Sequence, residues 1–123
     1  KITLNFGNTQ VGDGGAVAFG HGLRDLEQLQ QIDLQFGMTS VGDGGAIAIA
    51  SGLQSLKQLQ QICLDFGRTK VGDGGTTAIG NGLQNLKQLR KIDLRFRGSA
   101  VTEEAKKTIS DALQKPDVEV TVG

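Results

Sequence analysis

The chain has 123 residues, with 13 basic and 13 acidic side chains and no net formal charge, which excludes a strong bias toward nucleic acid or a membrane surface. Its 37% apolar and 21% charged content fits one soluble globular domain, and a single proline excludes a disordered Pro-rich linker. One cysteine, Cys63, excludes an internal disulfide, and no apolar run approaches the length of a membrane span.

In chain order, the first predicted element is a strand at Ile2-Thr3-Leu4-Asn5-Phe6, where apolar and polar residues alternate. A turn follows, with Val11 and the stretch Gly12-Asp13-Gly14-Gly15. The same succession then restarts. Ile32, Leu34 and Phe36 alternate with Asp33 and Gln35, and Val41-Gly42-Asp43-Gly44-Gly45 leads into Ala46, Ile49, Leu53 and Leu56. That spacing of three, four and three predicts a helix with one apolar face, after which Leu59 leads back to the next strand. Ile62, Leu64 and Phe66 open a third copy and Ile92, Leu94 and Phe96 a fourth, so the units run 2–31, 32–61, 62–91 and 92–117, with a last strand at 118–122. Asp13, Asp43 and Asp73 each precede a helix and are expected to cap its own first turn. In the fourth unit Thr102-Glu103-Glu104 replaces the glycines, a stronger helix start. Its more polar helix and the shortened return after Pro116 read as a terminal cap.

A strand and a helix in each unit require parallel pairing, and a single unit cannot bury its apolar face. The expected architecture is therefore an α/β solenoid, in which stacked units share one core. The stretch Leu29-x-x-Ile32-x-Leu34 resembles the strand signature of leucine-rich repeats. Gly42-Asp43-x-Gly45-Ala46-x-x-Ile49-Ala50-x-x-Leu53 resembles the helical half of the ribonuclease-inhibitor type. The resemblance spans the whole chain. It implies a curved, right-handed superhelix with a parallel sheet of about five strands on the concave side and four helices on the convex side. The units here run 30 residues where that type has 28 or 29, and the family's turn asparagine is missing. Thr9, Thr39, Thr69 and Ser99 recur near its place, so a ladder of hydroxyls is expected to substitute.

Candidate chemistry is sparse. The Val-Gly-Asp-Gly-Gly turns lack the lysine and spacing of a phosphate-binding loop and recur at identical places, so they read as structural. Each of Asp13, Asp43 and Asp73 is alone in its turn, too few oxygens for calcium. His21 corresponds to Ser51 and Asn81, a position that varies and has no second metal ligand nearby. Cys63 corresponds to Thr3, Asp33 and Asp93, the outward strand positions, and the nearby Asp65 would oppose its thiolate. No catalytic residue, cofactor site or metal site is therefore expected, and the chain is not expected to be an enzyme.

Comparison of the units separates scaffold from variable surface. The variable outward positions are Thr3, Asp33, Cys63 and Asp93, then Asn5, Gln35, Asp65 and Arg95, with Arg68 and Lys70 in the following loop. These are the candidate partner-binding residues of a non-catalytic protein-interaction or scaffold module, such as an accessory subunit of a larger complex. The alternative is a regulator or inhibitor of an enzyme acting through the concave face. Neither a small-molecule substrate nor nucleic acid is expected. Ile2, Leu4 and Phe6 begin a full repeat strand, so their edge is expected to pack against preceding sequence, another protein or an assembly neighbour. The lone cysteine favours an intracellular, cytoplasmic setting, or an organelle such as a plastid if a leader has been removed.

Overall fold

The computed structural model describes residues 1–123. Strands and helices alternate along the chain: β1 (Ile2–Asn5), α1 (Asp13–Leu23), β2 (Gln31–Gln35), α2 (Asp43–Leu53), β3 (Gln61–Asp65), α3 (Asp73–Gln84), β4 (Lys91–Arg95), α4 (Glu103–Leu113) and β5 (Glu119–Val122). The strands form one parallel sheet in the order β1-β2-β3-β4-β5. Ile2 pairs with Ile32, Ile32 with Ile62 and Ile62 with Ile92, so the thirty-residue period seen in the sequence is the register of the sheet. The last coil is two residues shorter, and Ile92 pairs with Val120. This is a leucine-rich-repeat-like α/β fold, with five parallel strands and four helices. No helix is long and apolar enough to cross a membrane.

The core lies between sheet and helices and is continuous from coil to coil. Ile32, Leu34, Ile62, Leu64, Ile92 and Leu94 enter it from the strands, and Ala46, Ile49, Leu53, Ile79, Leu83 and Ile109 from the helices. The phenylalanines after successive strands stack, with ring centroids 5.2 Å apart for Phe6–Phe36, 5.5 Å for Phe36–Phe66 and 6.3 Å for Phe66–Phe96. These separations follow from the spacing of neighbouring strands. Burying one such ring contributes about 1.5–3 kcal/mol, and no coil could do so alone.

The helices approach closely because they carry glycine and alanine where they face each other. A Cβ on Gly20 would lie 2.5 Å from the Ala48 carbonyl oxygen, and one on Gly52 would collide with the Gly20 carbonyl. α2 ends at Leu53, before the predicted face is complete. Leu56 and Leu59 reach the core through two short turns, in which Leu56 N donates to the Leu53 carbonyl at 2.9 Å and Leu59 N to the Leu56 carbonyl at 3.1 Å. The spacing that suggested a longer helix is thus the spacing of successive inward turns.

The aspartates act differently from the expectation. Asp13, Asp43 and Asp73 are the first residues of their helices, and the residue before α1, α2 and α3 is a glycine without a side-chain cap. Each carboxylate instead reaches forward one coil. Asp13 Oδ1 accepts from Gly42 N at 2.7 Å and Gly45 N at 3.1 Å, and Asp43 Oδ1 accepts from Gly72 N at 2.7 Å and Gly75 N at 3.0 Å. Asp73 accepts from Thr102 N at 2.8 Å and from the Thr102 hydroxyl at 2.9 Å. Thr102 in turn caps α4 by accepting from Ala105 N at 3.1 Å, in keeping with the stronger start read from its sequence. The turn hydroxyls are also local and form no ladder between coils. Thr39 Oγ1 donates to the Phe36 carbonyl at 2.6 Å and accepts from Val41 N, and Thr9, Thr69 and Ser99 repeat the pattern within their own turns.

At the β1 edge Ile2, Leu4 and Phe6 are half-buried, whereas their counterparts Ile32, Leu34 and Phe36 are buried. The β5 edge is of the same kind, with Val120 and Val122 half-buried.

Candidate functional site

The face of the sheet turned away from the helices carries two rows of side chains. Thr3, Asp33, Cys63, Asp93 and Thr121 form one row, and Asn5, Gln35, Asp65 and Arg95 the next. In-register parallel pairing places the members of a row about 4.8 Å apart.

In the first row Cys63 lies between two carboxylates. Burial pushes the thiol up to about 11, aided by the negative charges of Asp33 and Asp93 and opposed by Arg95. The opposing charges come from the neighbouring strands, and not from Asp65 as its nearness in sequence suggested. A thiol so placed stays protonated and is a poor nucleophile. Arg95 donates to Asp93 through Nε at 3.3 Å and Nη2 at 2.9 Å, and this pairing raises its own pKa.

In the second row the side chains divide by length. Asn5 Oδ1 and Asp65 Oδ1 fold back and accept from Gly7 N and Gly67 N, each at 2.8 Å. Gln35 instead donates to Asp33 at 3.3 Å. Asn5 and Asp65 are therefore committed to their turns, whereas Gln35 and Arg95 lie along the face.

Beyond the strand ends the chain adopts a left-handed backbone at one position in each coil. The φ angles are 55° at Asn8, 60° at Met38, 53° at Arg68 and 76° at Gly98. This conformation lets the ladder run one step further: Asn8 N donates to the Gly37 carbonyl, Met38 N to that of Gly67 and Arg68 N to that of Arg97, at 2.8–2.9 Å. A left-handed residue other than glycine costs about 1–2 kcal/mol, and Asn tolerates it better than Met or Arg. The fourth coil shows that glycine fits this place, yet two earlier coils hold Met and Arg there.

Asn8, Met38 and Arg68 line a shallow groove at the carboxyl ends of the strands, of about 530 Å³. It brings together Asn5, Gln35, Asp65, Arg95 and Arg68 with Met38 and Arg97. Asp33, Cys63 and Asp93 line a second, smaller depression with Gln61 and Lys91. Thr3 and Lys70 line neither; the Lys70 backbone donates to the Val41 carbonyl at 2.9 Å and so belongs to the packing between coils. Met38 stands in the variable loop column with Asn8 and Arg68, but neither it nor Arg97 is among the partner-binding residues named from the sequence. The signal was the column itself, since Asn8 and Gly98 are the two residue types that most readily take positive φ. A third depression lies on the helical side, between α3 and α4, lined by the carboxylates Asp73 and Glu104, of which Asp73 is already engaged with Thr102. No group of three His, Cys, Asp or Glu side chains is arranged to hold a metal ion, and His21 is exposed on α1.

No protein-family model matches the chain, and no curated protein matches its sequence. Among solved structures the chain is similar to the actin-binding site 2 of leiomodin-1, with a TM-score of 0.74 and 19% identity over 98% of this chain and 68% of that one. At that identity the likeness is one of fold. That solved neighbour is named as an actin-binding site.

Proposed function

We propose that the chain is a single leucine-rich-repeat domain of the ribonuclease-inhibitor type, with units 2–31, 32–61, 62–91 and 92–117 and a terminal strand. It works as a non-catalytic protein-interaction or scaffold module in an intracellular setting. Its partner lies on the outer face of the sheet and the loops at the strand ends. The observation that carries this reading is the left-handed column. Met38 and Arg68 are held in a costly backbone conformation that glycine takes in the fourth coil, and both line the groove on the variable face. Backbone strain kept at an exposed, variable position favours a role for the side chain outside the fold. The leiomodin-1 neighbour supports a protein partner for a fold of this size.

The test is positional. A photo-cross-linking amino acid is placed at Gln35 and, in a second preparation, at Ile47, which is 48% exposed on α2. In extract of the source cells a discrete protein adduct is expected from Gln35 and none from Ile47. Adducts from Ile47 alone, or the same adducts from both positions, would overturn the assignment of this face.

A further inference from the structure

The groove at the strand ends is basic in a specific way. Arg68, Arg95 and Arg97 line it, with Asp65 as its only carboxylate. Asp65 is occupied by the Gly67 amide, and Arg95 by Asp93. The ion pairs of the chain are Arg95–Asp93, Lys106–Glu103 and Lys107–Asp111, so Arg68 and Arg97 have no anionic partner. Both are exposed.

Arg68 is also placed, and not merely present. Its backbone is left-handed, and its stem lies over Gly98, where a Cβ would stand 3.0 Å from Arg68 Cγ and 3.7 Å from Arg68 Cα. The missing side chain at position 98 gives the stem its seat. Two guanidinium groups without an anionic partner line the same groove, and an anion held there would meet both charges. Beside them Met38 presents a half-exposed apolar side chain.

We propose that this groove takes an acidic segment of a partner protein, with carboxylates set against Arg68 and Arg97 and an apolar side chain on Met38. This rests on the reading that the partner is a protein. Discrete carboxylates fit better than a polyanion, because Asp33, Asp65 and Asp93 interrupt the positive charge on the same face. No aromatic side chain lines the groove to stack a base.

The test uses the full chain and a labelled peptide of alternating glutamate and glycine with one central leucine, followed by fluorescence anisotropy. Its control is the same peptide with glutamine at every glutamate. The acidic peptide is expected to bind and the control to bind far more weakly. Arg68→Gln and Arg97→Gln should each weaken binding by about tenfold, the size of one lost charge-assisted contact. Arg90→Gln removes the same charge at the far end of β4 and should change affinity by less than about twofold, since that distance is screened. Gly98→Ala keeps every charge but displaces the Arg68 stem, and should weaken binding while the circular dichroism spectrum is unchanged.

Equal loss in Arg90→Gln and Arg68→Gln would reduce the effect to bulk charge and overturn the proposal. Equal binding of the glutamine peptide, or no binding of either peptide, would overturn the acidic chemistry and leave the protein-binding face standing. Displacement of the peptide by polyuridylate, with tighter binding at the same arginines, would make the ligand a nucleic acid and overturn it as well. Loss of the Gln35 cross-link would instead remove the premise.

Discussion

Replacing Asp43 by alanine separates two accounts of the repeated aspartate. If the carboxylate capped its own helix, the damage would fall at the start of α2. In the structure it falls at α3, one coil later, where Gly72 N and Gly75 N lose their acceptor. Loss of an N-cap costs about 0.5–2 kcal/mol, and Gly75 is buried, so its orphaned amide adds part of the 1–3 kcal/mol of an unsatisfied donor. Because Asp43 itself is exposed, the sum is discounted to about 2 kcal/mol. The internal control is Glu103→Ala. Glu103 stands at the same place in α4 but has no following helix to cap, and its side chain is 90% exposed. That change removes only the interaction with its own helix dipole and a surface ion pair to Lys106, within about 1 kcal/mol together.

In urea denaturation Asp43→Ala should lower the midpoint by about 1 M, clearly more than Glu103→Ala does. Native-state hydrogen exchange adds the location. Exchange at Gly72 and Gly75 should accelerate, while Gly42 and Gly45, held by Asp13, should not. Faster exchange at Gly42 and Gly45 in Asp43→Ala, or equal losses in the two variants, would refute the cap between coils.

Gly52→Ala forces a Cβ into the Gly20 carbonyl and should destabilise by about 1–3 kcal/mol, whereas Gly22→Ala, in open space on α1, should stabilise by about 0.5–1 kcal/mol; thermal unfolding of both with the same sign would contradict the packing described. Alkylation of Cys63 should follow an inflection at about 11, not the ordinary 9.0, so that at pH 8 it runs about a hundredfold slower than for a free thiol. Because the folded pKa is the higher one, the stability that this thiol contributes is complete below pH 9 and is lost as pH rises through about 11, and Asp33→Asn should move the inflection down. Met38→Gly relieves the left-handed backbone at some cost in chain entropy and should stabilise by about 0.5–1 kcal/mol, and a loss of that size in chemical denaturation would show that Met38 supports the fold.

The parts of this molecule that the sequence discloses are those in which period and burial coincide. Ile32, Leu34 and Phe36 face inward because alternation allows nothing else, and thirty-residue repetition fixes which strand meets which. The capping direction was hidden by the repetition itself. With an aspartate at the same place in three coils, capping the own helix and capping the next predict the same sequence, and only the backbone decides. Leu56 misled for a related reason, since short turns and helix turns return a side chain to the core at similar intervals. Cys63 shows the reverse case. Its neighbours Asp33 and Asp93 follow directly from the register, whereas nearness in sequence points only to Asp65.

Variation between coils is not the same as freedom to bind. Asn5, Gln35, Asp65 and Arg95 differ in every coil and so resemble a recognition surface when read as a column. Yet the short Asn5 and Asp65 side chains reach back to the amides of their own turns, and a partner that engaged them would have to break those hydrogen bonds first. Gln35 and Arg95, one atom group longer or more, lie along the face, held only by contacts with Asp33 and Asp93 that solvent reaches. Surface hydrogen bonds of that kind exchange cheaply for contacts with a ligand. The side chains able to turn outward therefore belong to the second and fourth coils, and the third contributes through Arg68, which its left-handed backbone lifts clear of the turn. The proposed partner would meet Gln35 and Met38, then Arg68, then Arg95 and Arg97: a path across three coils set by which side chains the turns leave unused, and not by which positions vary.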